Sequence, residues 1–336
     1  MTDFAALNAT DECFGLIISS GNLFLYSMSG KKGLIIFVVF LALFLATTYV
    51  LFPGDPQAGG SVHSGANYSM AIRQLPDTVL WKRWWPWTES GREGNKPEGT
   101  IHLKGFSDTQ LVLDWEENGV SIPVSVTLSS KGNDSTVLMW SAEWEAGVNP
   151  FARIREFARG RRLRNDLQTL LAAFSIYASN PENVYGFKPV FTKVTDTLLI
   201  STKSTFSTLP GTTEIYGMFG SLEKYVAGKG ASVTGEPMYH ISTSGNAFEV
   251  MAALPISNLI EESANNRIKR MVDGHLLAAE VKAGPEVLKF LFRQFEQYKN
   301  DYQLASPAIP YLQPITNRIQ NPDTAQWITR MCYPIF

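Results

Sequence analysis

Gly235–Ile256 reads GEPMYHISTSGNAFEVMAALPI. The spacing predicts a β-hairpin that pairs Pro237–Ser242 with Phe248–Ile256. A second hairpin of the same kind pairs Ala308–Thr316 with Gln326–Ile335 across a longer loop. Leu222-Glu223-Lys224-Tyr225 recurs as Phe295-Glu296-Gln297-Tyr298, and Glu236-Pro237-Met238 as Ile309-Pro310-Tyr311, both at an offset of 73 (222 to 295, 237 to 310). Leu254-Pro255-Ile256 parallels Tyr333-Pro334-Ile335 at an offset of 79. Each half therefore reads strand, helix, strand, strand. The first half has its strand in Lys188–Phe206 and its helix over Thr212–Ala227. The second has its strand in His275–Lys282 and its helix over Pro285–Tyr302, with Leu288, Leu291, Phe292 and Phe295 as the buried stripe. Two such copies pack about a pseudo-twofold axis and leave a cleft where they meet, a usual place for a ligand. Tyr216, Met238, Tyr239, Met251, Tyr311 and Trp327 are the residues expected to line it. Aromatic rings and flexible Met side chains suit apolar guests, and plain core packing is the alternative for each.

Residues 185–336 resemble the GyrI-like family of small-molecule effector-binding domains, also found at the C-terminus of multidrug-sensing transcription activators. The matching residues are Gly235-Glu236-Pro237-Met238-Tyr239, Gly284-Pro285, Pro310-Tyr311-Leu312 and Met331-Cys332-Tyr333-Pro334-Ile335. The resemblance implies a duplicated β-α-β-β domain that binds a small molecule. Many members keep a Glu two residues before the Tyr of the penultimate strand, for cationic ligands or for hydrolysis. Here that position is Ile309, which can neither pair a cation nor move a proton. Glu236 stands at the equivalent place in the first half, either as a substitute carboxylate under a hydrolase alternative or as a solvent-facing strand-end residue.

Residues 66–180 read as a separate domain. Trp81, Trp84-Trp85-Pro86-Trp87 lead into strands at Gly99–Phe106, Thr109–Glu116, Ile122–Ser129 and Thr136–Glu145. The last alternates, with Leu138, Trp140, Ala142 and Trp144 on one face. Asn149 can cap and Pro150 suits the first turn of a helix to about Tyr177, with Ile154, Phe157, Leu163, Leu167, Leu170, Leu171 and Phe174 on its apolar face. This order resembles the SRPBCC (polyketide cyclase/START-like) helix-grip fold, which implies an antiparallel sheet wrapped around one long helix with a cavity between them. The stretch ahead of Trp84 is short for the usual pair of small helices. The tryptophans read as core, with ligand contact as the alternative. Arg159-Gly160-Arg161-Arg162-Leu163-Arg164 reads as a solvated helix face, with anionic lipid headgroups as the alternative partner.

Gly33–Phe52, GLIIFVVFLALFLATTYVLF, is twenty residues without a charge, the length needed to cross a bilayer. Lys31 and Lys32 precede it, and the next Lys or Arg is Arg73. The positive-inside bias puts the N-terminus in the cytoplasm and the later domains outside it. The expectation is a single-pass protein of the bacterial cytoplasmic (inner) membrane. A cleaved signal peptide is the rival, but Tyr49–Pro53 makes a poor cleavage site. Residues 1–32 read as a tail, with Met28 a plausible start and 1–27 lacking a clear period. Pro53–Gly65, rich in Gly, Pro and Ser, reads as a linker.

The chain has 336 residues, 45% hydrophobic and 18% charged, enough for two cores after the anchor. A net charge of -2 argues against nucleic acid as a partner. Cys13 and Cys332 fall on opposite sides of the anchor, so no disulfide framework is expected. His63, His102, His240 and His275 are scattered without metal-ligand spacing, so no metal or cofactor is expected. No G-x-S-x-G or phosphate-loop pattern occurs, and Asp273 near His275 has no nucleophile attached to it by any motif. The whole reads as an α+β chain: a transmembrane helix, a helix-grip domain and a duplicated β-α-β-β domain that binds a small apolar or amphipathic molecule without chemistry. A hydrolase of small electrophiles and a structural or interaction protein are the alternatives.

Overall fold

The computed structural model describes residues 12–19, 22–87, 97–195, 197–271, 273–306 and 308–335, with side chains from Lys31 onward. The expected start of the tail, residues 1–11, lies outside the described residues. Strands β1 (Glu12–Ser19) and β2 (Asn22–Ser29) form an antiparallel ribbon where no periodic element is expected. Their β-branched and aromatic residues, Ile17, Ile18, Phe24 and Tyr26, favour extended chain. Helix α1 (Gly30–Leu51) follows, and Lys31–Leu51 is long and apolar enough to cross a membrane.

The chain divides into two compact units. Among the described residues, one takes those within 1–61, 89–127 and 139–169, and the other those within 62–88, 128–138 and 170–336. In chain order the elements are β3 (Gln57–Ser64), α2 (Tyr68–Gln74), α3 (Thr78–Trp81), β4 (Thr100–Phe106), β5 (Gln110–Glu117), β6 (Val120–Ser130), β7 (Thr136–Glu143) and α4 (Pro150–Ala178). They continue with α5 (Pro181–Tyr185), β8 (Val190–Lys193), β9 (Leu198–Phe206), α6 (Thr212–Gly228), β10 (Met238–Ser244), β11 (Ala247–Pro255) and β12 (Asn266–Arg270). The last are β13 (His275–Lys282), α7 (Pro285–Asp301), β14 (Tyr311–Pro314) and β15 (Ile328–Ile335). One sheet has the order β3-β7-β6-β5-β4, and an eight-stranded antiparallel sheet has the order β12-β9-β11-β10-β14-β15-β13-β8.

In the first unit, period-two alternation buries Leu111, Leu113 and Trp115 of β5 and Ile122, Val124 and Val126 of β6 on one face. Leu163 and Leu167 of α4 are buried as well. The Asp166 carboxylate accepts from Trp115 Nε1 at 2.9 Å and from the Gly99 amide at 3.1 Å. A glycine inside a helix costs about 1 kcal/mol against alanine. Gly160 is kept because a Cβ there would meet the Trp144 ring at 2.7 Å. The Pro53–Gly65 linker is corrected. Gln57–Ser64 is a strand, and its glycines admit a tryptophan: a Cβ on Gly60 would lie 2.8 Å from Trp140 Nε1.

The arginine run is corrected in part: Arg161 and Arg164 are exposed as expected, but Arg159 and Arg162 are held by carboxylates. Arg159 is buried, donating to Glu117 at 3.0 Å and pairing with Glu156, while Arg162 Nε reaches Glu117 at 2.6 Å. Burial raises the Glu117 pKa, but the Arg162 and Arg159 hydrogen bonds outweigh it and hold the carboxyl below the usual range. A depressed folded-state pKa gives stability that is present above the unfolded-state value and lost as pH falls through the folded-state value. Urea unfolding at pH 7 and at pH 4 is therefore expected to show Glu117→Gln destabilised by about 1–3 kcal/mol at pH 7, with a smaller further loss on acidification than wild type. Identical pH dependence of the two proteins would contradict this.

In the second unit, the stretch ahead of Trp84, short as it is, holds two small helices, α2 and α3. The Trp84 ring meets Phe174 edge-on at 5.1 Å, and both are buried core. α6 buries Ile215, Phe219, Leu222 and Val226 against Ile200, Val250, Ala252 and Leu254 of the eight-stranded sheet. α7 buries Leu288, Leu291, Phe295 and Tyr298. The expected first strand of this region is two strands, β8 and β9, and β12 is an addition.

Candidate functional site

β10 and β14 meet in the middle of the eight-stranded sheet, where Tyr239 pairs with Leu312. Successive side chains of a strand point to opposite faces, so Met238 and Tyr239 cannot line one cleft together. Tyr239 joins the α6 core. Met238 joins Leu199, Ala253, Leu276, Ala278, Tyr311 and Cys332 on the other face. Register explains this grouping: Tyr311 lies opposite Cys332, and Cys332 opposite Ala278.

That second face holds a cavity of about 550 Å³. Met238, Tyr311, Leu276 and Ala278 line it, with Val190, Val194 and Met271. The Tyr311 hydroxyl lies 3.9 Å from Met271 Sδ. The polar lining is Lys188, Thr192, Lys193, Thr195, Glu280, Gln313 and Arg330. Glu280 is held by Arg330, with Nε at 2.9 Å and Nη2 at 2.5 Å. Cys332 Sγ lies 3.6 Å from Gln313 Oε1, and burial pushes the thiol up to about 12, so it stays protonated and unreactive. His240 lies in β10, where burial lowers its pKa and a hydrogen bond involving the Pro310 backbone opposes that shift, so the ring stays neutral.

Of the six expected lining residues, the structure brings only Met238 and Tyr311 to this cavity. Met251 is half-buried, paired with His240 and Lys203 in the sheet, and outside the lining. Tyr216, Tyr239 and Trp327 gather instead around Arg318. The Arg318 guanidinium lies 4.8 Å from the Trp327 ring centroid and donates to Tyr239 Oη at 3.2 Å and Thr329 Oγ1 at 2.7 Å. Its backbone N–H donates to Tyr216 Oη at 3.0 Å, and that hydroxyl donates to the Thr316 carbonyl at 3.2 Å. Arg318 is 8% exposed, and among the described residues no carboxylate pairs with it. It sits in an irregular loop, and no sequence pattern marks it. Glu236 is exposed and outside the cavity lining, and Ile309 is 50% exposed. Among the described residues, no cluster of His, Cys, Asp or Glu has the makings of a metal site.

No family model matches the chain, and no curated protein matches it. Similar solved structures include a cryo-EM structure of an EcmrR–DNA complex, at 12% identity and TM-score 0.41, covering 55% of this chain and 69% of that one. The EcmrR C-terminal domain matches at 10% identity and TM-score 0.36, covering 45% of this chain and 98% of that one. A START superfamily protein from Mycobacterium smegmatis matches at 13% identity and TM-score 0.23, covering 36% of this chain and 96% of that one.

Proposed function

We propose that this is a membrane-tethered binding protein that holds a small apolar or amphipathic molecule in the second unit and does no chemistry on it. The observation that carries this reading is the cavity of about 550 Å³ floored by Met238, Tyr311, Leu276 and Ala278. Its size and apolar floor suit a ligand of drug-like dimensions. Its one carboxylate, Glu280, is tied to Arg330, and the nearby Cys332 thiol, packed with Tyr311 outside the lining, is protonated, so neither is poised as a general base or nucleophile. A hydrolase built on Glu236 finds that carboxylate exposed and away from the lining.

The finer parts of the proposal follow the same line. Residues 66–180 and 185–336 are taken as an SRPBCC-like and a GyrI-like domain, the latter a duplicated unit. The order β9-β11-β10 followed by β14-β15-β13 supports the duplication. The apolar helix α1 and the lysine pair at its start support a single-pass anchor in a bacterial cytoplasmic membrane, with the later domains outside.

Lys188 and Lys193 add positive charge to the lining, so the expected guest is an amphiphile with a neutral or anionic head. Fluorescence titration of the full-length chain in nanodiscs tests this, with empty nanodiscs subtracted. N-phenyl-1-naphthylamine and its anionic relative 1-anilinonaphthalene-8-sulfonate are expected to bind, and cationic rhodamine 6G more weakly. Tyr311→Ala is expected to weaken both binders by about tenfold, or ~1.4 kcal/mol. Unaltered binding in Tyr311→Ala would place the dye elsewhere.

A further inference from the structure

The last turns of α1 run beside the first turns of α4. The Phe44 ring lies 5.8 Å from Phe151, and Phe52 meets Phe157 edge-on at 5.1 Å. Both contacts advance in the same chain direction, so the two helices run parallel over this stretch. α1 has 22 residues and spans about 33 Å at 1.5 Å per residue, close to the hydrocarbon thickness of a bilayer. A helix of that length has little to spare. Phe44 therefore lies about 10 Å inside the end of the span. Phe151, in ring contact with it, sits at the same depth.

The surface around Phe151 fits that depth. Val148 is 82% exposed and Phe151 70%. Backbone groups at membrane depth must be satisfied within the protein. The Val148 carbonyl accepts from Tyr49 Oη at 2.5 Å, and the Gly147 carbonyl from Arg153 Nε at 3.1 Å. The Phe151 amide donates to Asn149 Oδ1 at 2.9 Å. Arg153 also reaches the Phe52 carbonyl at 3.1 Å and lies 4.4 Å from the Tyr49 ring centroid, a cation at the C-terminal end of the span. Further along α4, exposed Arg161 and Arg164 share a surface depression with Phe157, about 6 and 10 Å beyond it along the axis.

We propose that the turn at Val148–Phe151 is seated in the bilayer beside the anchor, with both side chains in the acyl boundary, exposed Arg155 reaching up toward the headgroups, and Arg161 and Arg164 on lipid phosphates. The proposal rests on the anchor reading and adds that the folded first unit itself enters the leaflet. The test uses the full-length chain with Cys13→Ser, since buried Cys332 does not label. An environment-sensitive fluorophore is placed at Phe151→Cys, at Val148→Cys and, as a control, at exposed Lys104→Cys, in nanodiscs containing brominated phosphatidylcholine and phosphatidylglycerol. Blue-shifted emission quenched by lipid bromine is expected at 151 and 148, and neither effect at 104. Water-like, unquenched emission at 151 and 148 from a chain that resists alkaline extraction would overturn the seating alone. A chain washed out of membranes by alkali would overturn the anchor and the seating together.

Discussion

Asp301→Ala is expected to lower the stability of the chain by about 2–4 kcal/mol. Asp301 closes α7 and is 4% exposed. Its carboxylate accepts from Tyr185 Oη at 2.7 Å and Gln297 Nε2 at 2.8 Å, and it pairs with Arg73 of α2. One buried acid thus ties three segments of the second unit. Burial, and then the Asp301 charge, push the Tyr185 phenol well above its ordinary pKa, so it remains a donor at every physiological pH. Alanine leaves that buried hydroxyl without its acceptor, and an unsatisfied buried donor costs about 1–3 kcal/mol. The charge-assisted bonds to the carboxylate are lost as well. Arg73 contributes less, because its side chain is 38% exposed and turns to water. Asp301→Asn keeps an acceptor and is expected to lose about half as much. Urea unfolding of the three proteins checks the order. Equal midpoints for wild type and Asp301→Ala would show that the network contributes nothing.

The elements that build the second unit were legible because their patterns are long and regular. His275–Lys282 is the strand expected, and α7 differs from its expected range by a residue at its end. Gly284-Pro285 marks that helix's start plainly. β3 was not legible. A Gly-Gly-Ser composition reads as linker, and the reason for the glycines, the Trp140 ring, lies eighty residues away in sequence. The hairpin strands fall within a few residues of their expected ranges, β14 being shorter than expected, but Met238 and Tyr239 cannot share one cleft, because strand alternation forbids it. Arg318, Lys188 and Lys193 carry no pattern, since loop and edge-strand positions are filled by tertiary context rather than by period. Arg159 reads as one charge in a solvated run; Glu156, one turn earlier, and Glu117, forty-two residues earlier, make it a buried ion pair, and no sequence pattern announces the contact with Glu117.

The largest functional effect is expected from Ala278→Trp. Ala278 lies in the cavity floor, opposite Cys332 on β15 and Val190 on β8. An indole there projects into the 550 Å³ space that the ligand is proposed to fill, next to Met238 and Tyr311. Overpacking costs about 1–3 kcal/mol of stability when no room exists, but here the ring enters open space, so the unfolding midpoint is expected to stay near wild type. Titration of N-phenyl-1-naphthylamine into the full-length chain in nanodiscs, wild type against Ala278→Trp, is the most direct measurement. A loss of about a hundredfold in affinity, ~2.8 kcal/mol, with unfolding unchanged is the expected result. Equal affinity in the two proteins would contradict a binding function at this cavity.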